Sequence, residues 1–229
     1  MPNVRLSIGD AVRFSWAAVK QNTGLVIGIA IVAIVVPLLP SFIAEAIKQS
    51  GGALASSSFI FGLISGVLSI IVGLGMIRVS LTFASGQRPK VAELFSEYRH
   101  VFSYIGASIL YGLAVLAGLI LLIVPGIILA LRYSLFSYFV VERNLGPIAS
   151  LKASAQATKG AKGALLGLGL VLGLINFAGF LALLVGYLFT YPMTAIAMAY
   201  AYRVLTADIS SEATSVVPPV PPPLPPLTT

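Results

Sequence analysis

Long apolar runs separated by short polar stretches set the pattern of this chain. Residues 24–44 carry no charged side chain, and neither do residues 164–202. At 1.5 Å rise per residue, roughly 20 apolar residues match the ~30 Å hydrocarbon thickness of a bilayer. The pattern predicts an all-α integral membrane bundle of about six transmembrane helices in three hairpins. Crossings are expected over residues 23–46, 55–80, 101–123, 127–141, 163–185 and 187–205. Pro37 and Pro40 fall toward the far end of the first. The apolar run over 101–141 is too long for one crossing. Pro125-Gly126 within it is a turn signal, so a tight hairpin is expected there.

The polar stretch before each hairpin has helical periodicity, predicting a short interfacial amphipathic helix ahead of each pair of crossings. In the first, Ser7 with Asp10 three residues on approximates a capping box. Ile8, Ala11, Val12, Trp16 and Val19 then form an apolar face opposite Asp10, Arg13 and Lys20. In the second, Val91, Leu94, Phe95 and Tyr98 oppose Glu93, Glu97 and Arg99. The third opens at Gly146-Pro147, proline being suited to a first helical turn. Its Ile148, Leu151 and Ala155 oppose Lys152, Gln156 and Lys159. These helices anchor the loops at headgroup level or dock a partner. The same unit recurs with a shift of about 139 positions. Val12-Arg13-Phe14-Ser15 falls on Leu151-Lys152-Ala153-Ser154, Lys20 on Lys159, Gly24 on Gly163 and Gly28 on Gly167. Three copies of a lead helix plus hairpin are expected, the middle one most divergent.

Composition leaves no soluble alternative. Hydrophobic residues make up 58% of the 229 and charged residues 9%, too few to clothe a soluble domain. The formal net charge is +7, yet the bases are scattered singly between apolar runs, with no basic stripe for nucleic acid. Membrane orientation accounts for them instead. Of the 14 lysines and arginines, only Lys48 falls on one side, and Arg78 and Arg132 lie within or at the edges of apolar segments. The others, including Arg13, Arg88, Lys90, Lys152 and Arg203, share the opposite side. Cytoplasmic loops carry the positive excess, so both termini are expected in the cytoplasm. Five crossings would instead put the bases of the 142–162 loop outside. Residues 1–22 read as a cytoplasmic interfacial helix rather than a cleavable signal peptide, and residues 23–205 as the transmembrane domain. Residues 206–229, nearly all proline from 218 to 226, read as a disordered, extended cytoplasmic tail.

Candidate chemistry is sparse. There is no cysteine and one histidine, His100, so no thiolate or paired-imidazole metal site is expected, and no cofactor. The acids Asp10, Glu45, Glu93, Glu97, Glu142, Asp208 and Glu212 all fall near segment ends or in loops, which argues against an enzyme and a proton-coupled pump. Helix serines read as small packing residues. Arg132 stands apart, about 9 Å down the fourth crossing by helical rise. Burying a guanidinium there costs on the order of 3 kcal/mol. It is the candidate anion or lipid contact. Alternatively it is structural, bonding loose carbonyls at the broken hairpin or snorkelling to the headgroups. Arg78 is expected to snorkel. Gly24/Gly28, Gly62/Gly66, Gly163/Gly167 and Gly169/Gly173, each four apart, predict close helix approach. Tyr187, Tyr191, Tyr200 and Tyr202 fit interfacial aromatic belts.

Two stretches carry a family resemblance. One is Ile123-Val124-Pro125-Gly126-Ile127-Ile128-Leu129-Ala130-Leu131-Arg132-Tyr133-Ser134. The other is Asn144-Leu145-Gly146-Pro147-Ile148-Ala149-Ser150-Leu151-Lys152-Ala153-Ser154 with Thr158-Lys159-Gly160. The chain resembles a group of prokaryotic polytopic membrane proteins of unassigned function. That group includes the membrane domain attached to some glycerophosphoryl diester phosphodiesterases. Ser7-Ile8-Gly9-Asp10-Ala11 and Ala199-Tyr200-Ala201-Tyr202-Arg203 fit as well. The resemblance implies a prokaryotic inner-membrane protein of about six helices without the phosphodiesterase's catalytic domain. The function expected is a non-enzymatic, lipid-interacting scaffold or an accessory subunit of a membrane complex. Its partners would be membrane lipids, and other proteins met in the membrane or through the proline-rich tail. The alternative is a transporter or exporter of a small or lipid-like anion, motivated by Arg132 and the repeated hairpins.

Overall fold

Where each helix starts and stops follows from a few local devices. The computed structural model describes residues 6–49, 58–182 and 185–215. Helix α1 (Ile8–Gln21) begins at Ser7, whose hydroxyl accepts from the Asp10 N–H at 3.3 Å, satisfying one of the first turn's orphan donors. Only Asn22 separates α1 from α2 (Thr23–Gln49). The Thr23 hydroxyl donates back to the Val19 and Lys20 carbonyls, closing the end of α1. Helix α2 runs through Pro37 and Pro40 without ending. Opposite this stretch in α3 (Ser58–Ala84), the Ser65 hydroxyl donates to the Pro37 carbonyl, the kind of side-chain rescue that lets prolines persist in apolar helices. Then come two 3-10 turns, Val91–Phe95 and Tyr98–His100, and the helices α4 (Val101–Leu121), α5 (Ile123–Tyr133) and α6 (Phe136–Arg143). The chain ends in α7 (Pro147–Ala157), α8 (Lys162–Leu181) and α9 (Val185–Ser215).

These elements pack as a closed ring of three units. The hairpins are α2 with α3, α4 with α5 and α6, and α8 with α9. Each lead segment lies on the second limb of the preceding hairpin, and the first closes on the last. The 3-10 turns sit on α3, α7 sits on α6 and also on α4, and α1 reaches across the chain to α9. The core gathers where the second limbs meet. Tyr202 of α9 is fully buried there, stacked on Tyr138 at 5.3 Å and edge-on to Phe139 at 5.0 Å. Leu135, Leu168 and Ile196 are buried in the same interior. The outside is apolar instead, with Phe102 86% and Ile120 76% exposed. An apolar exterior around a packed interior suits a hydrocarbon solvent. Five stretches are long and apolar enough to cross a membrane: Thr23–Ala46, Ile60–Ala84, Val91–Leu121, Ile123–Arg143 and Lys162–Leu181. The protein is an all-α, multi-pass membrane bundle.

Several expectations change in detail. The third hairpin limb does reverse, but the reversal is a single extended residue, Leu122 (φ −170°, ψ 153°). Pro125 and Gly126 lie in the first turn of α5, where proline's missing N–H costs nothing. Gly126 serves the close crossing of α4 and α5, since a Cβ on Gly118 would meet its Cα at 2.8 Å. The fourth crossing is two helices, broken at Ser134 and Leu135. The sixth falls on α9, which is enclosed by α1, α2, α3 and α8. Its Tyr187, Thr190, Tyr191, Pro192 and Thr194 make it less apolar than the other five, as an enclosed helix can be. It also runs on to Ser215, so residues 206–215 are helical rather than tail. The proline-rich stretch beyond lies outside the described residues.

The lead segments depart further from the amphipathic pattern. In α1 the buried stripe is Ala11, Ser15 and Val19, while Trp16 is 53% exposed. In α7 it is Ser150, Ser154, Ala157 and Thr158, while Ile148 is 62% exposed. The middle segment is not α-helical at all. Leu94 of the first 3-10 turn and Glu97 of the link to the second both face inward, while Val91, Phe95 and Tyr98 face out. Most of the four-spaced glycines, Gly24, Gly28, Gly62, Gly66, Gly163, Gly169 and Gly173, face no neighbour within 4 Å. The tight glycines lie either where the two limbs of a hairpin cross, as at Gly118, Gly126, Gly179 and Gly186, or under lead segments. Gly75 lies beneath Leu94, Gly106 beneath Pro147 and Gly167 beneath Ile8.

Candidate functional site

The break between α5 and α6 leaves backbone groups that a continuous helix would have paired. The Arg132 carbonyl and the Leu135 N–H are the exposed needs at this junction. Helix α7 supplies both partners. The Ser154 hydroxyl donates to the Arg132 carbonyl at 3.1 Å and accepts from the Leu135 N–H at 3.1 Å. One turn on, the Thr158 hydroxyl donates to the same carbonyl at 2.9 Å. Both side chains are fully buried. The serine stripe of α7 is therefore a plug for a broken crossing, a role that hydrophobic periodicity does not encode.

The Arg132 side chain goes the other way. It is exposed, with its guanidinium carbon 5.6 Å from the Tyr133 ring centroid. The loose carbonyl at the break is its own, and the donors come from α7 rather than from the guanidinium. Two cavities are described, one lined by Glu142, Arg143, Arg203, Thr206 and Ala207 and the other by Leu63, Ile64, Val67 and Leu68. Arg132 lines neither.

A second polar centre ties the three units together, and its residues counted in the sequence only as loop charge. Arg203 of α9 pairs with Glu142 of α6 at 2.5 Å, and its second terminal nitrogen donates to Ser85, just past α3, at 2.9 Å. The adjoining cleft of about 360 Å³ is walled by the last turn of α6 and by α9. Arg143 on its rim lies over the Phe139 ring, 5.3 Å from the centroid. Nearby, Glu97 is only 7% exposed. Its carboxylate is 2.8 Å from His100 Nδ1 and 3.8 Å from Arg78 Nε. His100 Nε2 in turn meets Asn144 Oδ1, at the left-handed residue (φ 53°) that joins α6 to α7. Arg78 is thus a partner of a buried acid as well as a partly exposed charge. Glu93 accepts from the Thr82 hydroxyl at 2.8 Å and from the Lys90 N–H at 2.9 Å.

Between α8 and α9 the polar contact is neutral. Asn176 donates to the Leu172 carbonyl at 3.0 Å and to the Thr194 hydroxyl at 2.7 Å. Such a bond between apolar helices fastens the pair, typically by about 1 kcal/mol. Among the described residues no group of three or more histidine, aspartate or glutamate side chains is placed to hold a metal ion. Set against models of protein families, curated proteins and solved structures, the chain matches none.

Proposed function

We propose that this chain is a non-enzymatic component of a prokaryotic cytoplasmic membrane, a lipid-interacting scaffold or accessory subunit of a larger complex. We also propose the kinship to the membrane domain attached to glycerophosphoryl diester phosphodiesterases. The observation that carries the lipid reading is the outward Arg132. Its backbone carbonyl is met by α7 and its guanidinium is exposed beside Tyr133. Its five N–H donors meet no acceptor among the described residues, which leaves them for an acceptor outside the bundle. A phospholipid phosphate is the acceptor-rich anion that a bilayer supplies at its boundary, and it suits the planar guanidinium fork. A transport role for Arg132 requires access from an interior cavity, and it lines neither cavity described.

The test is phospholipid retention by the purified full chain. Arg132→Leu is expected to lose bound phospholipid, and Arg132→Lys to recover only part of it, because lysine keeps the charge but not the fork. Unchanged retention in Arg132→Leu, with equal or higher melting temperature, would remove the lipid contact and leave this arginine as packing.

For topology, the charge distribution supports both termini in the cytoplasm. The chain contains no cysteine, so single-cysteine scanning has a clean background. An impermeant thiol reagent added outside should label position 48 and position 122 at the α4–α5 reversal but not positions 88 and 152. Labelling at 152 from outside would overturn the orientation.

A further inference from the structure

The cleft between α6 and α9 has an unbalanced set of hydrogen-bonding groups. Among its described lining residues the one carboxylate, Glu142, is already engaged by Arg203 at 2.5 Å. Arg143 pairs with no carboxylate among the described residues, and its guanidinium is held in place over Phe139. The Arg203 Nε–H is buried without an acceptor among the described residues. The hydroxyl of the fully buried Tyr202 lies beside Glu142 and Arg143, and among the described residues it too lacks a well-formed hydrogen bond. Guanidinium groups only donate, so what the described lining of the cleft lacks is acceptors and negative charge. The position matters equally. Arg143 is the last residue of the apolar stretch Ile123–Arg143, where hydrocarbon gives way to the headgroup layer.

We propose that this cleft binds a phosphate-bearing group, with Arg143 as its principal contact and the Arg203–Glu142 pair as its wall. A phosphate offers only acceptors to Arg143, while Glu142 stays occupied by Arg203 and so does not repel it. The proposal deepens the lipid reading by naming a second site for the same chemistry. The ligand is a phospholipid headgroup or free phosphate, and the two are separable.

The experiment titrates the detergent-solubilised full chain with three probes: a short-chain phosphatidylglycerol, inorganic phosphate, and a short-chain phosphatidylcholine as zwitterionic control. The thermal melting shift is the readout. Wild type is expected to be stabilised by phosphatidylglycerol more than by phosphatidylcholine. Arg143→Gln should weaken the apparent affinity about tenfold, Arg143→Lys should restore part of it, and Arg143→Glu should abolish the shift. Each shift is read against that variant's own melting without probe, since every substitution also removes the Phe139 contact of Arg143. An equal response to inorganic phosphate assigns the site to free phosphate, and a response to the lipid alone assigns it to a headgroup. Undiminished shifts in both Arg143→Gln and Arg143→Glu would overturn the cleft site. If Arg132→Leu then removes the shift, the lipid reading survives at Arg132 alone. No phosphatidylglycerol shift in wild type would sink the lipid reading, and no shift with phosphatidylglycerol or inorganic phosphate would sink the cleft site.

Discussion

Gly75→Ala should unseat the segment that leads into the middle hairpin. A Cβ at this position would lie 1.9 Å from the Leu94 carbonyl oxygen and 2.4 Å from its Cα. Those are backbone atoms, so no side-chain rotation relieves the clash. The 3-10 turn must lift away from α3, drawing Leu94 out of the cluster it shares with Val72, Met76, Val79 and Phe83. The same movement separates Glu97 from Arg78. Overpacking of this kind costs about 3 kcal/mol or more, a fall in melting temperature of about 10 °C for a chain this size. Gly73→Ala is the matched control, two residues away with nothing within 4 Å. It should be neutral or mildly stabilising, as alanine favours a helix over glycine by about 1 kcal/mol. Equal melting of the two variants would show that Leu94 does not rest on α3.

Tyr202 gives the second large effect, and it separates packing from hydrogen bonding. The side chain is wholly buried between Tyr138 and Phe139, at the meeting of two second limbs. Truncation to alanine leaves a cavity in a site held from several elements, costing about 3–5 kcal/mol. Tyr202→Phe keeps the ring and removes a hydroxyl that lies beside Glu142 and Arg143 without a well-formed hydrogen bond among the described residues, so it should stay within about 1 kcal/mol of wild type. Thermal melting in one detergent compares the pair. A phenylalanine variant as unstable as the alanine one would mean that the hydroxyl, not the ring, holds the core.

The failures of the amphipathic pattern share one cause. Hydrophobic periodicity assumes that the apolar side of a lead helix is the side that packs. In α7 the packed side is chosen instead by two unpaired backbone groups in another helix, and Ser154 and Thr158 satisfy them. In the middle segment the period itself is wrong, since two 3-10 turns and the link between them turn Leu94 and Glu97 inward and leave Val91 exposed. Glycine spacing misled for a related reason. Gly75, Gly106 and Gly167 are tight because a lead segment lies on them, and nothing in their own helices marks that neighbour. The 139-residue shift, by contrast, does correspond to structure. Ser15 and Ser154 fall at equivalent positions and are both fully buried.

What the sequence determined by itself is everything that depends on local length, apolarity and chain stiffness. Helices of bilayer length, the Ser7 cap, the lead-plus-hairpin order and the reversal near residue 122 all follow from residues close together in the chain. Tertiary structure alone decided which surfaces meet. It closed α1 onto α9, plugged the α5–α6 break with α7, turned Arg132 outward and joined Glu142 to Arg203 across 61 positions. The physical reason is that apolar helices in hydrocarbon gain little from apolarity when they choose a partner. The choice falls to shape at a few glycines and to scattered polar groups that must be satisfied. Their partners lie tens of residues away, at separations no local pattern records.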